Sequence, residues 1–206
     1  MVNWIILKIA QRCNLDCTYC YVYNRGDDSW KERPKFISEA VTKQVSLRIL
    51  EQCSKYSLSE FVVELHGGEP LLLGKARMRR LLDNLIAGCA PIKLEFLLQT
   101  NGLLLDVEWL ELFDQYGVHF GIGIDGPPEI ADKFRIFHNG QGSTLKLLRL
   151  IARLRSETAL FDQLFGGALC VVDPSQNGSE MVDWFVSQGF NKFDFLLPDA
   201  TYRNLP

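Results

Sequence analysis

Six short apolar runs separated by five helical patterns constrain this chain more than any other feature. The runs lie at 4–9, 61–65, 92–98, 118–124, 168–172 and 192–197. Helical periodicity, with apolar residues three and four apart, marks 38–53, 75–88, 106–116, 143–156 and 179–188. Ser38 is placed as the N-cap of the first helix, and Gly88, Pro91 and Gly189 stand at helix ends. Strands joined through helices of ten residues or more form βαβ units, and βαβ units build a parallel sheet. Pattern alone leaves two such folds open, a doubly wound sheet and a (β/α) barrel. A full eight-unit barrel takes about 250 residues. The 206 residues here predict an α/β fold in one domain, in which six units would make a partial (β/α)6 TIM-like barrel while the doubly wound sheet stays open.

Composition removes several classes of function. Apolar residues make up 47% and charged residues 23%, the balance of a globular domain with a sizeable core. Lys and Arg total 22 against 25 Asp and Glu, a net charge of −3. No global basic field is present to bind nucleic acid or an anionic membrane. No run approaches the ~18 apolar residues of a membrane span, and the N-terminal apolar stretch is too short for a signal-peptide core. The chain is read as cytoplasmic, with no nucleic-acid or membrane partner. In that compartment thiols stay reduced, so the six cysteines are metal ligands or core residues rather than disulfides.

Their spacing separates the two roles. Cys53, Cys89 and Cys170 stand alone on helices or a strand and read as small buried hydrophobes. Cys13, Cys17 and Cys20 share one polar loop after the first strand, spaced C-x₃-C-x₂-C. A structural zinc site wants four ligands, and a fourth would have to come from elsewhere. An iron–sulfur cube held by three cysteines leaves one iron without a protein ligand, free for a substrate or cofactor. The other unusual residues also follow strands: His66-Gly67-Gly68-Glu69-Pro70, Gln99-Thr100-Asn101-Gly102 and Asp125-Gly126-Pro127-Pro128. Ligands in α/β folds bind at the carboxyl ends of strands, so all four segments belong to one rim.

The cysteine loop, with Asn14-Leu15 and Tyr19, resembles the signature of the radical S-adenosylmethionine (radical SAM) enzymes. The resemblance implies a [4Fe–4S] cluster on Cys13, Cys17 and Cys20 whose open iron chelates S-adenosylmethionine (AdoMet). Reductive cleavage of AdoMet then gives a 5′-deoxyadenosyl radical. It also implies that Tyr19 borders the adenine and that Gly67, Gly68 and Glu69, the family's GGEP motif with Pro70, contact the methionine amino group. His66, Gln99 and Asn101 become candidate pocket residues. The segment 121–127 resembles a strand end V-S-I-D-G-P, with Asp125 retained and Gly123 replacing a serine that helps bind the cofactor. Asp132 and Arg135 match a D-x-x-R, with Arg135 as a bidentate carboxylate partner, and Ala131 stands where relatives have histidine.

Segments 26–30, 33–38 and 195–201 look like those of radical SAM/SPASM maturases of ribosomally made peptides, nearest to the group forming cyclophane crosslinks. That resemblance implies hydrogen abstraction from a side chain of a precursor peptide, followed by crosslinking. It also implies a reductant such as flavodoxin or ferredoxin. Residues 1–206 correspond to a radical SAM core without the C-terminal SPASM domain, as in a truncated enzyme. The alternatives are formylglycine formation, as in anaerobic sulfatase maturases, and a catalytically incompetent fragment that only binds cofactor or leader peptide. No catalytic side chain is assigned. Asp199, at the end of the sixth run, is a candidate by position and reads more simply as a polar turn residue.

Overall fold

The computed structural model describes residues 1–198. Its strands are β1 (Trp4–Ala10), β2 (Glu60–Gly67), β3 (Lys93–Thr100), β4 (Val118–Gly123), β5 (Phe165–Val171) and β6 (Phe193–Leu196). Its helices are α1 (Glu39–Tyr56), α2 (Lys75–Cys89), α3 (Val107–Tyr116), α4 (Pro128–Ala131), α5 (Thr144–Glu157), α6 (Leu160–Leu164) and α7 (Gly178–Ser187). All strand pairs are parallel, in the order β1-β2-β3-β4-β5-β6. Sequential order decides between the two folds left open by pattern. A doubly wound sheet reverses direction at a switch point, whereas right-handed crossovers that never reverse leave every helix on one face. The result is the wall of a barrel, six strands wide among the described residues and unclosed, with β1 and β6 at its two edges.

Local chemistry sets the helix boundaries. The Ser38 hydroxyl accepts from Val41 N–H and caps α1, Asp106 accepts from Trp109 N–H and caps α3, and Asn177 accepts from Ser179 N–H and caps α7. Two differences from the sequence reading stand out. The short helix α6 was not foreseen; it forms because Phe161 and Leu164 both reach the core. β5 starts at Phe165 rather than 168, since Gly166 and Gly167 extend as strand beside a register shift between Phe120 and Gly121.

The core lies between the sheet and its helices. Phe120 is fully buried at its centre, with ring centroids 5.8 Å from Phe113, 5.5 Å from Phe161 and 5.9 Å from Phe165. Cys53, Cys89 and Cys170 are buried there too. The opposite, inner face alternates with this one. It carries Trp4, Ile6 and Lys8 of β1, Val62, Glu64 and His66 of β2, Leu97 and Gln99 of β3, then His119, Gly121 and Gly123 of β4. Ile6 is 62% exposed, against complete burial for Ile9 on the other face. Phe120→Ala is expected to cost about 3–5 kcal/mol, measured as a lowered midpoint of urea unfolding.

Candidate functional site

The rim at the carboxyl ends of β1 to β4 is assembled by backbone contacts before any side chain is considered. Gly68 N–H donates to Ala10 O at 2.9 Å, and Glu69 N–H donates to Arg12 O at 2.8 Å. A Cβ on Gly67 would overlap Ala10 O, and one on Gly68 would overlap Arg12 O and the Tyr23 hydroxyl. Both glycines are therefore required for the approach of β2 to the chain leaving β1. The cysteine loop is stitched on its other side to the D-x-x-R segment. Asp16 N–H donates to Ile136 O at 2.8 Å, Thr18 N–H donates to Phe134 O at 3.0 Å, and Leu15 bridges Phe137 in antiparallel fashion. These bonds bring Arg135 to the cysteines across 115 or more residues of sequence.

One cavity is lined by Cys13, Cys17, Cys20, Tyr19, Tyr23, His66, Gly67, Gly68, Gln99, Asn101, Gly123 and Arg135. Burial pushes the Cys13 thiol up to about 12 and also raises that of Cys17. Metal binding there would release protons, because thiolates are the ligands. Leu15 N–H points at Cys13 Sγ at 3.4 Å and the Asn101 amide lies 3.8 Å from it, its stronger bond going to Asn14 Oδ1 at 2.7 Å. Donors of this kind suit a thiolate. Among the described residues, no group of three or more His, Cys, Asp or Glu side chains is placed to grip a single metal ion. An iron–sulfur cube is wider and takes each thiolate on a separate iron. The Tyr23 hydroxyl is buried beside this loop without a hydrogen-bond partner in the protein. An orphaned donor and three thiols lining one cavity fit such a cluster.

Two residues expected in the pocket stand behind it. Glu69 was read as an acceptor for the cofactor's ammonium. Its carboxylate is instead fully buried and accepts from Leu71 N–H (2.9 Å), the Thr100 hydroxyl (2.7 Å) and Asn101 N–H (2.8 Å). Burial holds it above the usual carboxylate range although these donors pull it down. Its backbone remains at the rim, and its side chain ties the β2 loop to the β3 loop. Asp125, 4% exposed, accepts from the Tyr19 hydroxyl and from Val171 N–H at 3.0 Å. It stands behind Arg135, whose Nη1 donates to the Tyr19 hydroxyl at 2.8 Å and lies 3.8 Å from Asp125. Burial and Asp125 raise the Tyr19 phenol, and the same neighbours keep the buried guanidinium charged.

The glycines of β4 have a steric explanation. A Cβ on Gly121 would lie 2.5 Å from Gln99 Oε1, and one on Gly123 would lie 3.0 Å from Arg135 Nη2. The space a side chain at position 123 would take is occupied by the Arg135 guanidinium. Thr100, Tyr23 and His138 were missed by the sequence reading. Thr100 binds Glu69, and a ring nitrogen of His138 lies 3.0 Å from Cys13 O. Thr100 lies inside the strand-end segment Gln99–Gly102, and Tyr23 among the repeated aromatics Tyr19, Tyr21 and Tyr23, whereas His138 carried no signal. Asp132 accepts from Ser143 N–H and from Thr144 N–H and hydroxyl, so it fastens the start of α5. Asp199 lies outside the described residues. A larger cavity of about 600 Å³ beside α1 is lined by the apolar Val41, Val45, Ile49 and Phe61 together with Gln44, Arg48 and Gln52.

His66 faces the inner wall, and Gly67 N–H donates to its Nδ1 at 2.8 Å. Gly67 O lies 3.3 Å from the same Nδ1, so Gly67 offers a partner to either tautomer of the ring.

The profile of the radical SAM superfamily matches residues 7–182, and the chain belongs to that superfamily, whose members use a [4Fe–4S] cluster and AdoMet. It is 29% identical over 153 residues to the serine-type anaerobic sulfatase-maturating enzyme of Bacteroides thetaiotaomicron, covering 73% of this chain and 36% of that protein. Against the cysteine-type enzyme of Clostridium novyi it is 25% identical over 200 residues, 95% of this chain and 50% of that protein. The chain thus spans about half, or less, of these relatives. In fold it matches native anSMEcpe with bound AdoMet at a TM-score of 0.78 and 23% identity, over 100% of this chain and 56% of that one. It matches the same protein with AdoMet and the Kp18Cys peptide at 0.77 and 22%, over 98% and 55%. No helix among the described residues is long and apolar enough to cross a membrane.

Burial holds the His66 imidazole below its ordinary pKa of 6.5. The unfolded chain then binds the proton first as pH falls. The stability His66 contributes is complete above about pH 6.5 and is lost as pH drops through its lower folded value. Replacement by glutamine is expected to flatten that part of the acid dependence, measured by urea unfolding at about pH 7.5 and about pH 5.5.

Proposed function

We propose that residues 1–206 are the radical SAM core of a peptide-modifying enzyme that removes hydrogen from a peptide side chain and leads it to a crosslink. The observation that carries this reading is the single cavity in which three thiols, a buried arginine and a glycine-bared strand end meet at the open barrel wall. A cluster with AdoMet, when bound, supplies a 5′-deoxyadenosyl radical. Cys13, Cys17 and Cys20 would hold the cluster, and Arg135 the methionine carboxylate as a bidentate partner. Tyr19 and Asp125 fix the guanidinium, and Gly123 leaves room for it. A peptide lies along the inner wall, whose apolar residues exclude water from the reacting groups.

In a crosslink the substrate would give up one hydrogen atom to the adenosyl group, then, as the new bond closes, a proton to solvent and an electron to an oxidised carrier such as flavodoxin or ferredoxin. A reductant such as flavodoxin or ferredoxin in the cytoplasm supplies the electron that starts the cycle. The sulfatase-maturating relatives favour a second reading, oxidation of a Cys or Ser side chain to formylglycine.

Arg135→Lys is expected to weaken AdoMet binding roughly tenfold to a hundredfold, since a point charge replaces two charge-assisted hydrogen bonds. Calorimetric titration of the reconstituted protein measures it. Gly123→Ala should weaken binding as well, by crowding the same guanidinium. The reaction is tested by anaerobic reconstitution, reduction and assay for 5′-deoxyadenosine, then by co-expression with short peptides encoded beside the gene. A peptide lighter by two hydrogens that resists hydrazide labelling and keeps two residues joined on fragmentation supports the crosslink. A hydrazide-reactive aldehyde supports formylglycine. Absence of 5′-deoxyadenosine from an iron-loaded protein would sink both.

A further inference from the structure

Tyr23 has no part in the reading above, and its position is heavily constrained. Its ring packs edge-on against Trp30, centroids 4.9 Å apart at 88°. Trp30 is held in turn by Arg12, whose guanidinium lies 5.0 Å from the Trp30 ring and donates to Trp30 O at 2.9 Å and Gln11 O at 2.8 Å. Arg12 follows directly on the chain leaving β1, and its carbonyl receives Glu69 N–H. A short stack, Arg12 on Trp30 on Tyr23, thus runs from the end of β1 to the cysteine loop. The hydroxyl at its tip sits over Gly68, where any Cβ would overlap it. The ionisable groups that act on it include the Cys13 and Cys20 thiols and Glu69. Glu69 already accepts three hydrogen bonds from Leu71, Thr100 and Asn101. The hydroxyl is buried and makes no hydrogen bond within the protein, a condition buried donors rarely tolerate without a partner.

We propose that Tyr23 is a positioning residue for the iron–sulfur centre, its O–H donating to a sulfur of that centre and raising the reduction potential. Hydrogen bonds to sulfur withdraw charge and favour the reduced state. The inference rests on the reading of Cys13, Cys17 and Cys20 as cluster ligands. Phenylalanine keeps the ring, the Trp30 contact and the burial, and removes only the donor. 3-Fluorotyrosine at the same position keeps the shape and strengthens the donor.

The experiment is a potentiometric titration followed by EPR on reconstituted wild type, Tyr23→Phe and the 3-fluorotyrosine protein, each with its iron counted. The expected result is a lower potential for Tyr23→Phe and a higher one for 3-fluorotyrosine, at equal iron content. If Tyr23→Phe does not load, the fluorinated protein alone decides: a raised potential supports the proposal and an unchanged one overturns it. Equal potentials across all three iron-loaded proteins, with or without a fall in AdoMet affinity for Tyr23→Phe, remove Tyr23 from the centre. In that case the cysteine-ligand reading stands. A wild type that takes up no iron–sulfur centre overturns that reading and the proposal with it.

Discussion

The buried carboxylate of Glu69 is the interaction on which the rim depends. It receives hydrogen bonds from Leu71, Thr100 and Asn101, so one side chain joins the loop after β2 to the loop after β3. Asn101, held by its backbone, sends its side chain to Asn14 and toward Cys13. The cysteine loop is reached from the other direction by Glu69 N–H bonding Arg12 O. Three strand ends are thus coupled through one residue. A carboxylate taken wholly out of water is tolerable only when its acceptor capacity is met. Removing it would strand three donors as well as the links they make.

Missing side chains matter here as much as present ones. Gly67 and Gly68 let two backbones approach, and Gly121 and Gly123 let two long side chains lie across a strand. Gln99 occupies the space above Gly121 and Arg135 the space above Gly123. Any side chain at position 123 would compete with the Arg135 guanidinium for the same volume. Tyr19 and Asp125 complete the arrangement by holding the guanidinium in a buried place where an unpaired charge would be costly.

Much of this was legible in the sequence. The strand–helix alternation placed all six strands, and the cysteine spacing with the four strand-end segments placed the rim. What remained hidden depends on distance in space. The difference between a barrel wall and a doubly wound sheet lies in strand order, which periodicity does not encode. Helix α6 escaped because five residues are too few for a helical period to register. Glu69 and Asp125 were recognised as part of the site but assigned to its surface. Motif matching gives position along the chain, whereas burial decides whether a carboxylate meets a ligand or the backbone behind it. Tyr23 escaped because its value lies in what it lacks, a partner.

The register of the sheet determines what a molecule on the inner wall would meet. Lys8 pairs with His66, Leu65 with Leu98, and Gln99 with Gly121, so Lys8, His66, Gln99 and Gly121 form one row beneath the cysteine loop. The Lys8 ammonium and the Gln99 amide offer hydrogen-bond donors there. The next row, Ile6, Glu64, Leu97 and His119, brings the first carboxylate. Because side chains alternate across a strand, a slip of one residue in β1 or β2 would exchange these rows for the helix-facing core. The fully buried Val63 and Leu65 that interleave with Glu64 and His66 hold that register, and so the packing of the core fixes the chemistry presented on the opposite face.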